Sequence, residues 1–495
     1  MRQNVAFTSL PRGRAFRYSH RDMRLHALIA TAVGLGAGCA GARQAERAGR
    51  PDEVSAPLDA ELAGVPGARA FTMTDVEYGG RIYVVAVEPR GGTTAPTLVL
   101  VHGLGAAGVR DFYPVLPALA RGRRVVAFDL PGFGRSTAAN ERYTPARYAA
   151  VVARVVEHFG GAPIDLLGHS MGGAIALMFA GTYPAQVRRL VLVDAAGILH
   201  REAWFGHHLR RVTDPAGLLL PAAVDQLNQL VATVFSTTRA LEPLPEIVLL
   251  TPALRAQLLE GDPGRIAALS LILTDFSSAI AAVVAPTLVV WGADDNVAPP
   301  RTGELLSERL PLAGYAVFDG VGHDVMAEAP ARLVAAVEPY LGAPSVAVRG
   351  ATPAVSSRGA ASCVGQNDVR FSGVYDEVVL DRCERASFER VSMRRLVLRD
   401  SSARVVGSRV AAGIALERSH LLVTGGRVEG PIALELADSD ADLAGVELGG
   451  RDAIYRLTGA SKAIFSVCPT RAAARLGHLH GVVEATGPVI EGGLP

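Results

Sequence analysis

Five short apolar runs, Thr97 to Val101, Val125 to Phe128, Ile164 to Leu167, Leu190 to Val193 and Thr287 to Trp291, most restrict what this chain can fold into. They are continuous rather than alternating, the mark of strands buried on both faces of a parallel sheet. Helical stretches such as Ala146 to Phe159 and Gly172 to Ala180 lie between them, so the region is α/β. Ahead of them, Val76-Glu77-Tyr78, a Gly79-Gly80 turn and Arg81 to Val87 read as a hairpin. Between Ala196 and Val283 the alternation lapses. Segments such as Ala223 to Phe235 and Arg265 to Ile280 there carry apolar residues at helical spacing, which predicts a helical cap over 198–283.

A chain of 495 residues is too long for one ordinary core. The α/β region accounts for 72–343. A Pro, Ser and Ala-rich linker follows over 344–362, and 363–475 then has a strand-like composition with an internal repeat. Aligning the runs that start at Val378, Leu396, Ile414, Ile432 and Ile454 gives intervals of 18, 18, 18 and 22 residues by subtraction. A second strand recurs around Phe388, Val405, Leu422 and Leu443. Units this small cannot bury their own apolar face and must stack on their neighbours. The region resembles a right-handed parallel β-helix of about five rungs, and 476–495 is read as a tail.

The N-terminus has the order of an export signal. Arg2, Arg12, Arg14, Arg17 and Arg21 precede Met23-Arg24 and a small-residue apolar stretch from Leu25 to Gly38. That stretch is shorter than the roughly 20 apolar residues that span a bilayer. Cys39 after Gly36-Ala37-Gly38 resembles a bacterial lipobox, with Leu35 one place early, and Met23 is an alternative start. Residues 1–39 are therefore expected to direct export, with Cys39 the candidate lipidation site and 40–71 a tether without structure. That predicts a lipoprotein at the membrane, in the periplasm or on the bacterial surface, with plain secretion as the alternative. Cys363, Cys383 and Cys468 allow at most one disulfide among them.

The chemistry gathers at the end of the third apolar run. Leu167-Gly168-His169-Ser170-Met171-Gly172-Gly173 is a G-x-S-x-G between a strand and a helix, a turn that presents a serine at the edge of a sheet. A side chain at Gly168 or Gly172 would strike neighbouring backbone. A serine hydroxyl needs a base to take its proton, and the base needs an acid to orient it. Gly322-His323-Asp324 follows the run Tyr315 to Phe318 and supplies His323. Trp291-Gly292-Ala293-Asp294-Asp295 follows a buried strand and leaves Asp294 and Asp295 both open as the acid.

With Val101-His102-Gly103-Leu104-Gly105 after the first run, these motifs resemble the α/β-hydrolase superfamily over about 72–343. The resemblance implies Ser170 as nucleophile, His323 as base and Asp295 as acid, on the W-G-x-x-D-x-x-x-P pattern. It also implies backbone N–H groups of Leu104 and Met171 as the oxyanion hole. Asp129-Leu130-Pro131-Gly132-Phe133-Gly134-Arg135-Ser136 matches a loop in relatives and is read as structural. Trp204, Phe205, Phe235 and Phe276 fall in the cap, as core residues or as the lining of an acyl pocket.

Gly-His-Ser-Met-Gly-Gly looks most like the elbow of esterases and monoacylglycerol lipases, which implies a small-molecule ester with an apolar acyl group as substrate. C–C bond hydrolases of the same fold are the runner-up, and a surface adhesion protein is a reading from another class. A net charge of +1 with dispersed basic residues argues against nucleic acid. His207-His208 and His478-Leu479-His480 have no Cys or carboxylate at ligand spacing, so neither metal nor cofactor is expected. The repeat region is read as a scaffold, with polysaccharide binding as its alternative.

Overall fold

A computed structural model describes residues 52–161, 163–212, 245–343, 359–472 and 475–492. Cys39, the export segment, Phe235 and the stretch Ala223 to Phe235 lie outside the described residues.

The five continuous runs form the centre of a nine-stranded sheet. Its strands are β1 (Val54–Ser55), β2 (Ala68–Thr74), β3 (Arg81–Val87), β4 (Leu98–Val101), β5 (Val125–Phe128), β6 (Ile164–His169), β7 (Val187–Val193), β8 (Thr287–Gly292) and β9 (Gly314–Phe318). They lie in the order β1-β2-β3-β5-β4-β6-β7-β8-β9. From β5 to β9 every pairing is parallel, and the three at the other edge are antiparallel. All side chains of β4, β5, β6 and β8 are buried, which is why these strands carry no polar alternation.

The helices around the sheet are α1 (Leu116–Leu119), α2 (Pro145–His158) and α3 (Met171–Thr182). Between β7 and β8 come α4 (Arg201–Val212), α5 (Pro245–Leu250), α6 (Pro252–Leu258), α7 (Pro263–Ile272) and α8 (Ser277–Ala282). After β8 come α9 (Pro300–Arg309), α10 (Val325–Glu328) and α11 (Pro330–Gly342). The helical character expected between Ala196 and Val283 is thus present in its described parts.

The hairpin lies earlier than the sequence suggests. β2 pairs with β3 from Ala68↔Val87 to Thr74↔Arg81, so Val76-Glu77-Tyr78 is not a strand. Asp75 ends β2 by accepting the backbone N–H groups of Glu77 and Tyr78, and Val76 points into solvent. The expected tether 40–71 is corrected with it. Val54 and Ser55 pair with β2, Leu62 and Phe71 are buried, and Glu53 binds Arg69 and His158. The two-residue β1 is too short for any periodic signal.

The C-terminal region is a parallel β-helix. One ladder stacks Ala360–Val364, Val374–Asp381, Ser392–Arg399, Ile414–Glu417, Arg427–Ala437 and Glu447–Ala472, and the second runs from Arg370–Phe371 through Ala386–Glu389, Ser402–Val406, His420–Thr424 and Asp440–Ala444. Leu380, Leu398, Leu416, Leu436 and Leu457 stack inside the first, and Phe388, Val405, Val423, Leu443 and Phe465 inside the second. Val423, not Leu422, is therefore the inward position.

The late repeat intervals are corrected too. Ile414 pairs with Leu434 and Leu434 with Tyr455, intervals of 20 and 21 residues by subtraction, rather than with Ile432 and Ile454. Two extra residues enter between Val428 and Leu434. Because strand side chains alternate with a period of two, this insertion keeps Ile432 and Leu434 on one face and hides the slip from a pattern search. The register also shifts between Gly430 and Ile432 against the last coil.

The strand Ala360–Val364 begins inside the expected linker, and the expected tail 476–495 is largely the strand Arg475–Gly492, paired antiparallel with Glu447–Ala472. Cys363 and Cys383 form a disulfide that staples the first coil to the second, and Cys468 is buried and free.

At one corner of the stack, buried serines form a ladder. The N–H of Ser401 donates to Ser419 Oγ, that of Ser419 to Ser439 Oγ and that of Ser439 to Ser461 Oγ, at 3.0, 3.0 and 3.2 Å. Each of these inner hydroxyls in turn donates within its own turn, Ser419 to Glu417 O and Ser439 to Ala437 O, both at 2.7 Å. Ser419→Ala leaves the buried N–H of Ser401 without its acceptor, at an expected cost of about 1–3 kcal/mol. Chemical denaturation of the full chain should show the β-helix transition at lower denaturant; an unchanged midpoint would contradict the ladder's role.

Candidate functional site

Ser170 stands alone between the end of β6 and the start of α3, with φ 53° and ψ −121°. A non-glycine residue holds this left-handed conformation only where its surroundings fix it. Here its N–H donates to Val193 O at 3.0 Å, and its carbonyl accepts from Gly173 and Ala196 at 3.0 and 3.1 Å. The two motif glycines allow the crossing. A Cβ on Gly168 would lie 2.2 Å from Gly172 O, and one on Gly172 would lie 2.0 Å from Val101 O.

The loops after β8 and β9 bring the other two groups to the serine. His323 Nε2 lies 2.9 Å from Ser170 Oγ, and His323 Nδ1 lies 2.8 Å from Asp295 Oδ2. Asp295 is fully buried, and its Oδ1 accepts the N–H groups of Val297 and Ala298 at 2.7 and 2.9 Å. Asp294, the other acid left open by the sequence, is exposed and does not reach the imidazole.

Burial opposes charge on His323, yet the Asp295 carboxylate, by its charge and its hydrogen bond, carries the imidazole pKa above its ordinary value. Asp194, at the end of β7, is pushed toward its protonated form by burial and by the charge of Asp295, and its Oδ1 accepts the Gly292 N–H at 2.8 Å.

Three further polar residues shape the site, two of them with no role legible in the sequence. His169 Nε2 donates to the carbonyl of His323 at 2.9 Å, and burial holds its own pKa down at about 3, so the ring stays neutral. His102 Nε2 accepts the Leu130 N–H at 2.9 Å while Nδ1–H donates to Gly103 O at 2.7 Å, which ties the Leu104 loop to the loop after β5. Asp129, in the motif read as structural, accepts from Val109 and Arg135 N–H groups at 2.8 and 2.7 Å.

Leu104 and Met171 both border the space beside Ser170. Met171 opens α3, where a helix leaves its first N–H groups without intrahelical acceptors. Two cavities meet at the serine. The inner one is narrow, about 50 Å³, and is lined by Leu104, Leu199, Trp204, Leu271 and Val297 among other, mostly apolar, groups. The outer one is about 760 Å³ and is lined by His323, Asp111, Asp324 and Arg265 among others.

Of the cap aromatics, Trp204 lines the inner cavity and donates its indole N–H to Val297 O at 2.9 Å, whereas Phe276 is core. Among the described residues, His169, Asp194 and His323 come within 4.8 Å of one another by their ligand atoms. Both nitrogens of His323 are already engaged by Ser170 and Asp295, and His169 Nε2 carries a proton, so this group is built as a hydrogen-bond network.

Residues 96–330 match a family model described as the alpha/beta hydrolase fold. The chain is 33% identical over 271 residues to a dihydrolipoyllysine-residue acetyltransferase component of an acetoin cleaving system from Pseudomonas putida, covering 54% of this chain and 68% of that relative. It is 30% identical over 237 residues to a 2-hydroxy-6-oxononadienedioate/2-hydroxy-6-oxononatrienedioate hydrolase from Cupriavidus pinatubonensis, covering 47% of this chain and 82% of that relative. A solved thermophilic esterase from Thermogutta terrifontis is similar at 27% identity with a TM-score of 0.41, over 55% of this chain and 98% of that one.

A base must be neutral to accept a proton, and His323 is raised above the ordinary 6.5. Turnover is therefore expected to rise with pH through an apparent pKa above 6.5. Asp295→Asn should move that limb to lower pH and cut kcat by about 10⁴-fold. A pH–rate profile of the two proteins checks both; an unmoved limb would separate Asp295 from the base.

Proposed function

The chain belongs to the α/β-hydrolase fold family, and from that premise we propose that it cleaves carboxylic esters through an acyl-enzyme on Ser170. The observation that carries the proposal is the run of contacts Asp295–His323–Ser170 at 2.8 and 2.9 Å, opening on an apolar cavity.

In this reading Ser170 Oγ attacks the ester carbonyl carbon as His323 Nε2 takes its proton. Asp295 holds the imidazole in the right tautomer and stabilises the imidazolium. The N–H groups of Leu104 and Met171 bind the tetrahedral oxyanion. The intermediate collapses, the C–O bond breaks, and the alcohol leaves with the proton from His323. Water then gives a proton to His323 as it attacks the acyl carbon, and collapse of the second tetrahedral intermediate breaks the acyl–Oγ bond, returns that proton to Ser170 Oγ and frees the acid.

The narrow apolar cavity supports an acyl group there, and the larger polar one supports the alcohol portion. A second reading, C–C bond hydrolysis, is favoured by the Cupriavidus relative. The lining of the inner cavity, apolar apart from the polar groups of Ser170 and Arg201, favours an apolar acyl group and so the ester.

Ser170→Ala is expected to lower kcat on short p-nitrophenyl esters by about 10⁶-fold. Unchanged turnover in the variant would sink the assignment. Turnover of a 2-hydroxy-6-oxo-dienoate with none of the esters would favour the second reading.

A further inference from the structure

The β-helix does not merely follow the hydrolase region; it is docked on it. Arg301 of α9, 10% exposed, makes a 2.7 Å ion pair with Asp442 and donates at 2.9 Å to Thr424 Oγ1, Val423 O and Asp442 O. Ala444 and Val467 of the β-helix belong to the same buried apolar cluster as Trp291, Leu305 and Leu306. These contacts join the two regions.

A second set of contacts reaches the wall of the inner cavity. Leu199, Arg201 and Trp204 line that cavity. The residues between them turn the other way. The N–H of His200 donates to Ser466 Oγ at 2.9 Å, and Glu202 pairs with Lys462 at 3.4 Å. Lys462, the only lysine in the chain, also bridges to Glu484 of the last strand at 2.9 Å. The His200 ring meets the edge of His480 at 5.2 Å. Across the cavity, Asp275 follows the lining residues Leu271 and Ile272 and faces His478 and His480 at 3.4 and 3.7 Å.

We infer that the β-helix is a specificity element: Ser466 and Lys462 of its last coil hold the Leu199–Trp204 wall and so set which acyl groups the inner cavity admits. The physical reason is the alternation itself. A segment leading into α4 whose residues point in turn into the cavity and onto the β-helix cannot shift toward solvent without breaking a hydrogen bond and an ion pair together. A ladder of paired strands is a stiffer backing than a cap made of short helices. The inference rests on the reading of Ser170 as nucleophile only for its catalytic consequence.

The test pairs the double variant Ser466→Ala/Lys462→Met with Leu199→Ala, each in the full chain, on p-nitrophenyl esters from acetyl to decanoyl. Losing contacts of this kind, worth about 1 kcal/mol, corresponds to roughly fivefold. The ratio of kcat/KM for long against short acyl groups should therefore change by about that factor in the double variant. kcat for the acetyl ester should stay near that of the unaltered protein. Leu199→Ala, which widens the wall directly, should shift the ratio in the same sense.

Amide hydrogen exchange over residues 199–204, read without substrate, should accelerate in the double variant. An acyl profile that superposes on that of the unaltered protein, or exchange that does not change, overturns the inference. Failure of the unaltered protein to hydrolyse any ester would instead count against the proposed reaction and leave the exchange result to decide the clamp.

Discussion

The left-handed backbone of Ser170 is the constraint on which the site depends. With φ at 53° the chain leaves β6, presents one side chain and enters α3 within a single residue, and backbone hydrogen bonds with Val193, Gly173, Ala174 and Ala196 keep it there. That turn exists only because carbonyl oxygens of Val101 and Gly172 press into the places where side chains of Gly172 and Gly168 would stand. The positions of His323 and Asp295 follow from the same geometry. Parallel strands end their loops on one edge of the sheet, so residues far apart in sequence meet at the serine. His169 adds a direct tie, because the residue before Ser170 donates to the carbonyl of His323.

Much of this was legible in the sequence because it is local. Continuous apolar runs mark buried strands, the glycine spacing marks the elbow, and the order Ser, Asp, His narrows the partners to two aspartates and one histidine. Burial then separates Asp295 from Asp294, which adjacency in sequence does not. What escaped was non-local or brief. β1 is two residues long, and the Asp75 turn moved the hairpin upstream. The two-residue insertion near Ile432 kept the apolar face intact and so kept its spacing hidden. The contacts of His102, His169 and Asp194 join loops remote in sequence, and no period announces them.

The two ends of the β-helix are finished differently. Its first coil is stapled by Cys363–Cys383, and its last is covered by the antiparallel strand Arg475–Gly492. The antiparallel strand occupies the edge of the last coil, whereas among the described residues Ala360–Val364 and Arg370–Phe371 of the first coil each pair on one side only. Between the two ends, outward residues such as Asp442 and Thr424 meet α9, while inward leucines and the serine ladder keep the coils in register. One side of the stack thus backs the hydrolase region.

In the proposed reaction Ser170 is a nucleophile activated by His323. The most direct measurement is labelling of the full chain with a fluorophosphonate, located by peptide mass spectrometry. One adduct is expected, on Ser170, whose formation slows severely in His323→Ala while the fold is kept. No adduct, or an adduct on another serine, would contradict it.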